Sequence, residues 1–498
     1  MNSVLTGGEA AGEGEKESKR MSAKHQLTSA EVRERVGHPI VDADGHMLEL
    51  IDAAHPHIRE ALGPALFQQW LDRGTIIKRA QAPMSLDERR DSRTPQGAWW
   101  GTHTVNVLDR ATATLPALLY ERLPELGIDF TILYPTNTLL TPAEEDPDLR
   151  RGLCAGFNAF YADVYGPFSD RITPAGIVPM HTPEEAIAEL HHMKKLGIKV
   201  ACFPEGVLRP LSQPAGDLPS PWLFAGQRQW FDCFALDSLY DYDPVWQTCL
   251  DLGFAVTFHG GLNVRPGIHW SITSYAANHI GQFMAEMYPL CKALVMGGVT
   301  KRFPTLPFVF LECGVSWAVQ MVGDTIEHWE RRNIEALEMY NPARLDKQQL
   351  ASYFEKYGGR LAELLGGDPY DYVQSLPIHG KAPEQPDEFI HVGVRDEHEI
   401  VSLFDSMYFG CEADDRGIAT AFAPWNAEGA VLKPVLGSDM GHWDVTDIAG
   451  VVSGSYELVE QGHLTADQFR AVAFDNPVQM FRAANPDFFR GTVLETSV

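Results

Sequence analysis

The chain carries little that would staple it, bind it to polyanions or hold it in a membrane. Its 7 cysteines (Cys154, Cys202, Cys233, Cys249, Cys291, Cys313 and Cys411) stand singly among 498 residues with no C-x-x-C pair. That spacing excludes a disulfide framework and a zinc ribbon, and reduced, mostly buried thiols in a cytoplasmic protein are expected. Positive charge is scarce: 40 Lys+Arg against 67 Asp+Glu give a formal net charge of −27. Such a chain repels phosphate backbones and anionic headgroups, which argues against nucleic-acid and membrane partners. Long apolar runs are missing too. The most apolar stretch, 307–323, carries Glu312 and falls short of the roughly 18–20 uninterrupted apolar residues a membrane span requires. Residues 1–36 have no apolar signal-peptide core and read as a flexible charged tail. No fixed-period repeat is found, so solenoids and propellers are excluded.

What is present is a soluble globular composition, 45% hydrophobic and 10% aromatic, with one recurring grammar: helix signals, a glycine, then a short β-branched or aromatic run. In 182–204, Thr182 suits an N-cap and Pro183 the first turn. Glu184 and Glu185 suit the positive helix end, and Ile187, Leu190 and Met193 form an apolar stripe before Gly197. The same order recurs before FAVTFHGG and before IDFTILYPT. Eight apolar runs follow this grammar, near 39–46, 129–136, 172–180, 198–204, 254–261, 307–314, 406–412 and 433–439. Near-continuous apolar strands alternating with helices predict a parallel sheet covered on both faces, and eight such units predict an α/β fold of the (β/α)8 TIM barrel type.

The expected organisation is therefore a single barrel domain over 37–498. Long helical and loop insertions near 51–100, 204–242 and 324–400 are placed at the C-terminal face, where barrel enzymes carry lids and specificity loops. The third insertion opens with an expected long helix, WAVQMVGDTIEHWERRNIEALEM.

The candidate chemistry sits at strand ends. Asp44 and His46 stand two apart, on one side of a departing strand. Alone this means nothing, because 18 His and 67 acids predict about two acid-x-His matches by chance. The other two matches, Glu189-His191 and Asp396-His398, fall in helix and loop text. His259 ends FAVTFHGG and Asp439 ends KPVLGSD. Taken singly, each is a plausible strand-end cap. In a barrel, however, the C-terminal strand ends converge, so Asp44, His46, His259 and Asp439 form a set of two imidazoles and two carboxylates suited to zinc, or to a harder ion such as manganese. His55-Pro56-His57 mimics a metal pair but lies past the strand and is read as noise.

The runs IVDADGHMLEL, VTFHGG and VLGSDMGH, with LGIDFTILYPT, RITPAGIVPM and DNPVQMF between and after them, resemble the amidohydrolase superfamily over residues 38–485. The likeness is to the branch holding aminocarboxymuconate-semialdehyde decarboxylase and aromatic acid decarboxylases. The resemblance implies a barrel with one divalent metal on Asp44, His46, His259 and Asp439, and a homodimer. Two departures matter. The first-strand pair in that family is often His-x-His, and the acid at Asp44 makes the site harder. On the sixth strand the decarboxylases carry a proton-transferring His, where this chain has Glu312. No lysine ends the fourth strand, Lys199 being near its start, which argues against a two-metal, carbamylated-lysine site.

The remaining candidates carry two readings each. Glu312 is a general acid or base, or a structural partner of Arg265 or His442. Arg265 clamps a substrate carboxylate or faces solvent. Trp317, with Trp222, Trp230 and Phe231, walls an aromatic pocket or belongs to the core. His442 serves the site or caps its loop. The expected function is a metal-dependent hydrolase acting on a small carboxylated or aromatic substrate through an activated water, with Asp439 taking a proton and Glu312 or His442 delivering one. Non-oxidative decarboxylation is the alternative, and a catalytically inactive binding or scaffold barrel is the third reading.

Overall fold

Helix-ending glycines in the left-handed conformation, Gly127, Gly197 and Gly253, stop three helices and release the chain directly into strands. The helix Pro183–Leu196 is the clearest case. Thr182 Oγ1 accepts the Glu185 N–H at 3.3 Å, and Ala186, Leu190 and Met193 are buried. Ile187 is only half-buried, so the stripe runs one residue ahead of the sequence-based one.

The strands are β1 (Val41–Met47), β2 (Phe130–Pro135), β3 (Ile172–Ile177), β4 (Val200–Pro204), β5 (Val207–Pro210), β6 (Gln229–Asp232), β7 (Val256–His259), β8 (Phe308–Phe310), β9 (Met407–Glu412) and β10 (Lys433–Gly437) in a computed structural model describing residues 27–74, 84–94, 96, 105–212, 228–260, 273–341, 344–366 and 386–498. Eight of them form one parallel sheet in the order β1-β2-β3-β4-β7-β8-β9-β10, while β5 and β6 make a separate antiparallel hairpin after β4. Backbone bonds from Asp439 N to the Asp44 carbonyl (2.9 Å) and from His46 N to the Met440 carbonyl (3.0 Å) bring the two ends of the sheet together. The fold is thus a (β/α)8 barrel, with each predicted strand in place.

Alternate residues from the strands fill the interior: Val41 and Ala43, Phe130, Ile132 and Tyr134, Ala175, Val200 and Cys202, Val309 and Leu311, Tyr408, and Val435. The C-terminal segment closes the bottom with Phe481, Phe488 and Phe489, and Phe130 meets Phe489 at 5.5 Å between ring centroids. Lys199 lies at this end, its Nζ donating to the Phe488 carbonyl, far from the strand ends that carry the candidate site.

Two expectations differ from the structure. Residues 28–36, read as part of a flexible tail, form the helix Ser29–Val36 with a Thr28–Glu31 capping box, tied to the barrel by Arg33 and Asp129. The long helix of the third insertion runs only Ser316–Arg332, because the Asn333 side chain accepts the N–H groups of Glu335 and Ala336 and starts a separate turn. The insertion after β1 begins as the helix His55–Arg73, which buries Ile58, Leu62, Phe67 and Trp70 in the main core.

Outside the barrel, the Asn158 amide satisfies both backbone groups of Ile177 and donates to Glu189 Oε1 at 2.7 Å. Burial pushes the Glu189 carboxyl up to about 7. A carboxyl raised in the folded state stabilises fully below its unfolded value near 4.5, and that contribution is lost as pH rises through about 7. Thermal unfolding from pH 5 to 8 should show this loss, worth roughly 3 kcal/mol. Glu189→Gln should flatten that part of the profile and raise Tm at pH 8.

Candidate metal centre

Regular alternation along β1 would separate Asp44 from the barrel interior, since Val41 and Ala43 already face it. A bulge resolves this. The register passes from Asp42 opposite Thr131 to Gly45 opposite Leu133, so β1 carries one extra residue there. The extra residue turns Asp44 inward beside His46, which pairs with the inward-facing Tyr134. Asp42 stays on the outer side. Its carboxylate accepts Thr131 Oγ1 (2.7 Å), Ser438 N (2.8 Å), Ser438 Oγ (2.8 Å) and Asp44 N (3.3 Å), locking β1 to the end of β10. Gly45 is required by close approach: a Cβ there would lie 2.6 Å from Asp42 Oδ2 and 2.9 Å from Thr131 Oγ1.

At the C-terminal strand ends the structure gathers Asp44, His46, His259, Glu312, Asp439 and His442. His46 Nε2 and His259 Nε2 face one another at 3.0 Å. His46 Nε2 lies 3.7 Å from Asp44 Oδ1 and 3.5 Å from Asp439 Oδ1, and His259 Nε2 lies 3.5 Å from Glu312 Oε2. His442 Nδ1 stands 2.5 Å from Asp439 Oδ1 and 3.8 Å from Glu312 Oε1. His259 Nδ1–H donates to the Gly260 carbonyl at 2.7 Å, which leaves Nε2 as the bare nitrogen turned to the cluster. Both Glu312 (φ 54°) and Asp439 (φ 48°) sit in the left-handed region, a strained conformation for side chains of this kind that redirects each carboxylate as its strand ends.

Burial pushes Asp44 well above the usual carboxylate range, and the neighbouring carboxylates of Glu312, Asp439 and Asp42 push the same way. Burial likewise holds His46 well below the ordinary imidazole value, with His442 and His259 adding to it, and lowers His259. His442 is the exception: burial would neutralise it, but Asp439 and Glu312 hold it protonated, well above the ordinary value. Burial and the nearby Glu312 carboxylate push Asp439 well above the usual range as well, whereas at Glu312 the imidazoles of His442 and His259 outweigh burial and hold it down.

Those residues fit a divalent ion. Asp44 Oδ1, Glu312 Oε2 and Asp439 Oδ2 are buried with no hydrogen-bond partner among the described residues. Two overlapping ligand groups, Asp44-His46-His259 and His46-Glu312-Asp439-His442, converge with their ligand atoms within 4.8 Å of one another in each group. An uncompensated buried carboxylate is costly, and a cation bound by mixed imidazole and carboxylate ligands removes the cost.

The other sequence candidates scatter. Trp317 belongs to the core: its ring packs on Phe310 and Phe409 at 6.1 and 5.5 Å in the layer between strands and helices. Trp230 and Phe231 lie on β6 of the hairpin. Arg265 and Trp222 fall outside the described residues. His57 pairs with Asp163 at 3.2 Å on a helix outside the barrel. An aromatic wall does border the site, built from residues the sequence reading passed over. Phe283 meets His259 at 6.2 Å, His279 stacks edge-on to Phe283 at 5.4 Å, and Trp443 meets Tyr275 and His279 at 5.8 and 5.6 Å. The i, i+4 spacing of His279 and Phe283, and Trp443 directly after His442, were the available signals. Asp42, in the same D-x-D-x-H run, was the other omission.

The family model described as amidohydrolase matches residues 89–368, more than half of the chain. That span includes His259 and Glu312. No curated protein matches. Among solved structures, the chain is similar to an amidohydrolase from Mycobacterium avium subsp. paratuberculosis K-10 (14% identity, 89% of this chain and 99% of that one, TM-score 0.48). It is also similar to 2,6-dihydroxybenzoate decarboxylase from Rhizobium (13%, 89% and 99%, 0.45). A third is a manganese complex of 5-carboxyvanillate decarboxylase from Novosphingobium aromaticivorans DSM 12444 (14%, 90% and 97%, 0.43).

Gly45→Ala drives a methyl group into Asp42 and Thr131, and the expected loss is about 1–3 kcal/mol in urea denaturation. Parent-like stability would show that the Asp42 carboxylate does not lock the barrel seam.

Proposed function

The chain belongs to the amidohydrolase family, and from that premise we propose that it is a metal-dependent hydrolase of a small carboxylated or aromatic substrate. Asp44, His46, His259 and Asp439 would hold one divalent ion, zinc or manganese. The observation that carries this reading is the convergence, at the strand ends, of two imidazole nitrogens with buried carboxylate oxygens that have no hydrogen-bond partner among the described residues. When bound, the ion supplies Lewis acidity, making water acidic near neutral pH and polarising a carbonyl.

The chain's own groups divide the proton work. Asp439 Oδ2 has no hydrogen-bond partner among the described residues and accepts a proton from the attacking water. His442, held protonated between Asp439 and Glu312, returns a proton to the leaving group. Glu312 keeps that imidazolium in place and balances its charge. The wall of Phe283, His279, Tyr275 and Trp443 offers a ring-bearing substrate an apolar surface.

A second reading, non-oxidative decarboxylation, draws on the same imidazolium. Loss of carbon dioxide from an aromatic acid leaves an electron pair on the ring carbon, and a proton donor fixed beside the site is what that carbon then needs.

Elemental mass spectrometry of the parent and His259→Ala tests the centre: about one divalent ion per chain in the parent, falling below about a tenth in the variant, is the expected result. A parent that takes up no ion after loading would overturn the proposal. Incubation of the loaded parent with carboxyl-labelled aromatic acids and with their esters and amides separates the chemistries. Labelled carbon dioxide establishes the carboxy-lyase reading, and an acid with its alcohol or amine establishes the hydrolase.

A further inference from the structure

We propose that Glu49 is a positioning residue that aims the His46 imidazole, an inference that rests on the metal centre proposed above. Glu49 follows His46 by three residues where the chain leaves β1, and it is buried. Its carboxylate accepts three consecutive backbone N–H groups, from Thr136 (3.1 Å), Asn137 (2.8 Å) and Thr138 (3.1 Å). It also accepts the Thr138 hydroxyl at 2.6 Å and the Tyr161 hydroxyl at 3.5 Å. The Asn137 amide donates to the Glu49 carbonyl at 3.2 Å, so side chain and backbone of Glu49 grip the same segment.

That segment is the exit from β2, and it carries the groups surrounding His46 Nδ1. Thr136 Oγ1 lies 3.5 Å from Nδ1, and the neighbouring Pro135 carbonyl favours the protonated ring. With Nδ1 turned to Thr136, Nε2 is directed at His259, Asp44 and Asp439. His259 obtains the same orientation from its neighbouring Gly260 carbonyl. His46 has to borrow its Nδ1 partner from the next strand, and Glu49 is what fixes that strand's exit relative to β1.

A carboxylate suits the task because every group facing it is a donor. An amide of the same shape would turn one acceptor into a donor against those N–H groups. Loop stabilisation alone would make Glu49 matter for folding and leave the metal ligands indifferent to it, and the two roles separate by measurement.

The test uses the full chain as parent, Glu49→Gln, Glu49→Asp and Tyr161→Phe. Zinc affinity is read by chelator competition, ligand geometry by the visible absorption of the cobalt-loaded protein, and folding by Tm. Both Glu49 variants should weaken zinc binding by about ten- to a hundredfold and shift the cobalt bands. Tyr161→Phe, which removes a Glu49 contact remote from His46, should lower Tm with zinc affinity and cobalt spectrum unchanged. Glu49→Asp serves if Glu49→Gln does not fold. Lowered Tm with parent-like affinity and spectrum in the folded Glu49 variants would overturn the inference and leave Glu49 a structural residue. Failure of the parent itself to bind zinc or cobalt would overturn the metal centre as well, and the parent alone reports that outcome.

Discussion

The Asp42 carboxylate is the interaction on which the arrangement of the strand ends depends. It is fully buried and bonded to Ser438 through both backbone and hydroxyl, so the last strand of the barrel is registered against the first from the outer side. Burial of such a group is tolerated because its oxygens accept from four donors. The bulge immediately after it turns Asp44 across to the inner side, and Gly45 keeps the space that the carboxylate occupies. The outer lock and the inward carboxylate are thus one device: the geometry that closes the barrel also delivers Asp44 and Asp439 to the same point.

Free energy is spent at that point. Glu312 and Asp439 both take left-handed backbone, and the buried acids outnumber the single imidazolium that faces them. Strain and like-charge crowding persist only where the surrounding structure over-determines them. Here the surroundings are eight paired strands, an interior filled by alternate aliphatic and aromatic residues, and a C-terminal plug of phenylalanines. A barrel of this kind separates its roles by end: the phenylalanine-plugged bottom gives stability, and the opposite rim is free to hold groups that would be unfavourable elsewhere.

Much of the fold was legible because helix stops, glycines and apolar strands are local signals. Thr182, Pro183 and Gly197 bound their helix as read, and each of the eight barrel strands fell where its apolar run stood. Asp44, His46, His259 and Asp439 were legible for a related reason: a polar residue ending an apolar strand is conspicuous, and barrel topology brings such ends together. Of the two readings of Trp317, the structure places it in the core, where its surroundings are set by Phe310 and Phe409 on two strands, the second almost a hundred residues away in sequence. The aromatic wall of Phe283, His279, Tyr275 and Trp443 was missed because its two halves are more than 150 residues apart. Asn333 ended a helix early through a side-chain bond that apolar periodicity does not record.

By itself the sequence determined the element order, the parallel barrel and the residue types able to hold a cation, because these follow from periodicity, caps and the chemistry of single side chains. The tertiary structure decided which side of β1 Asp44 faces, that His442 is held charged between Asp439 and Glu312, and that Glu49 grips the exit of β2 beside His46. Each of these depends on one extra residue in a strand register or on distances between segments far apart in the chain. Such quantities are fixed only when all eight strands are paired and the barrel seam is closed.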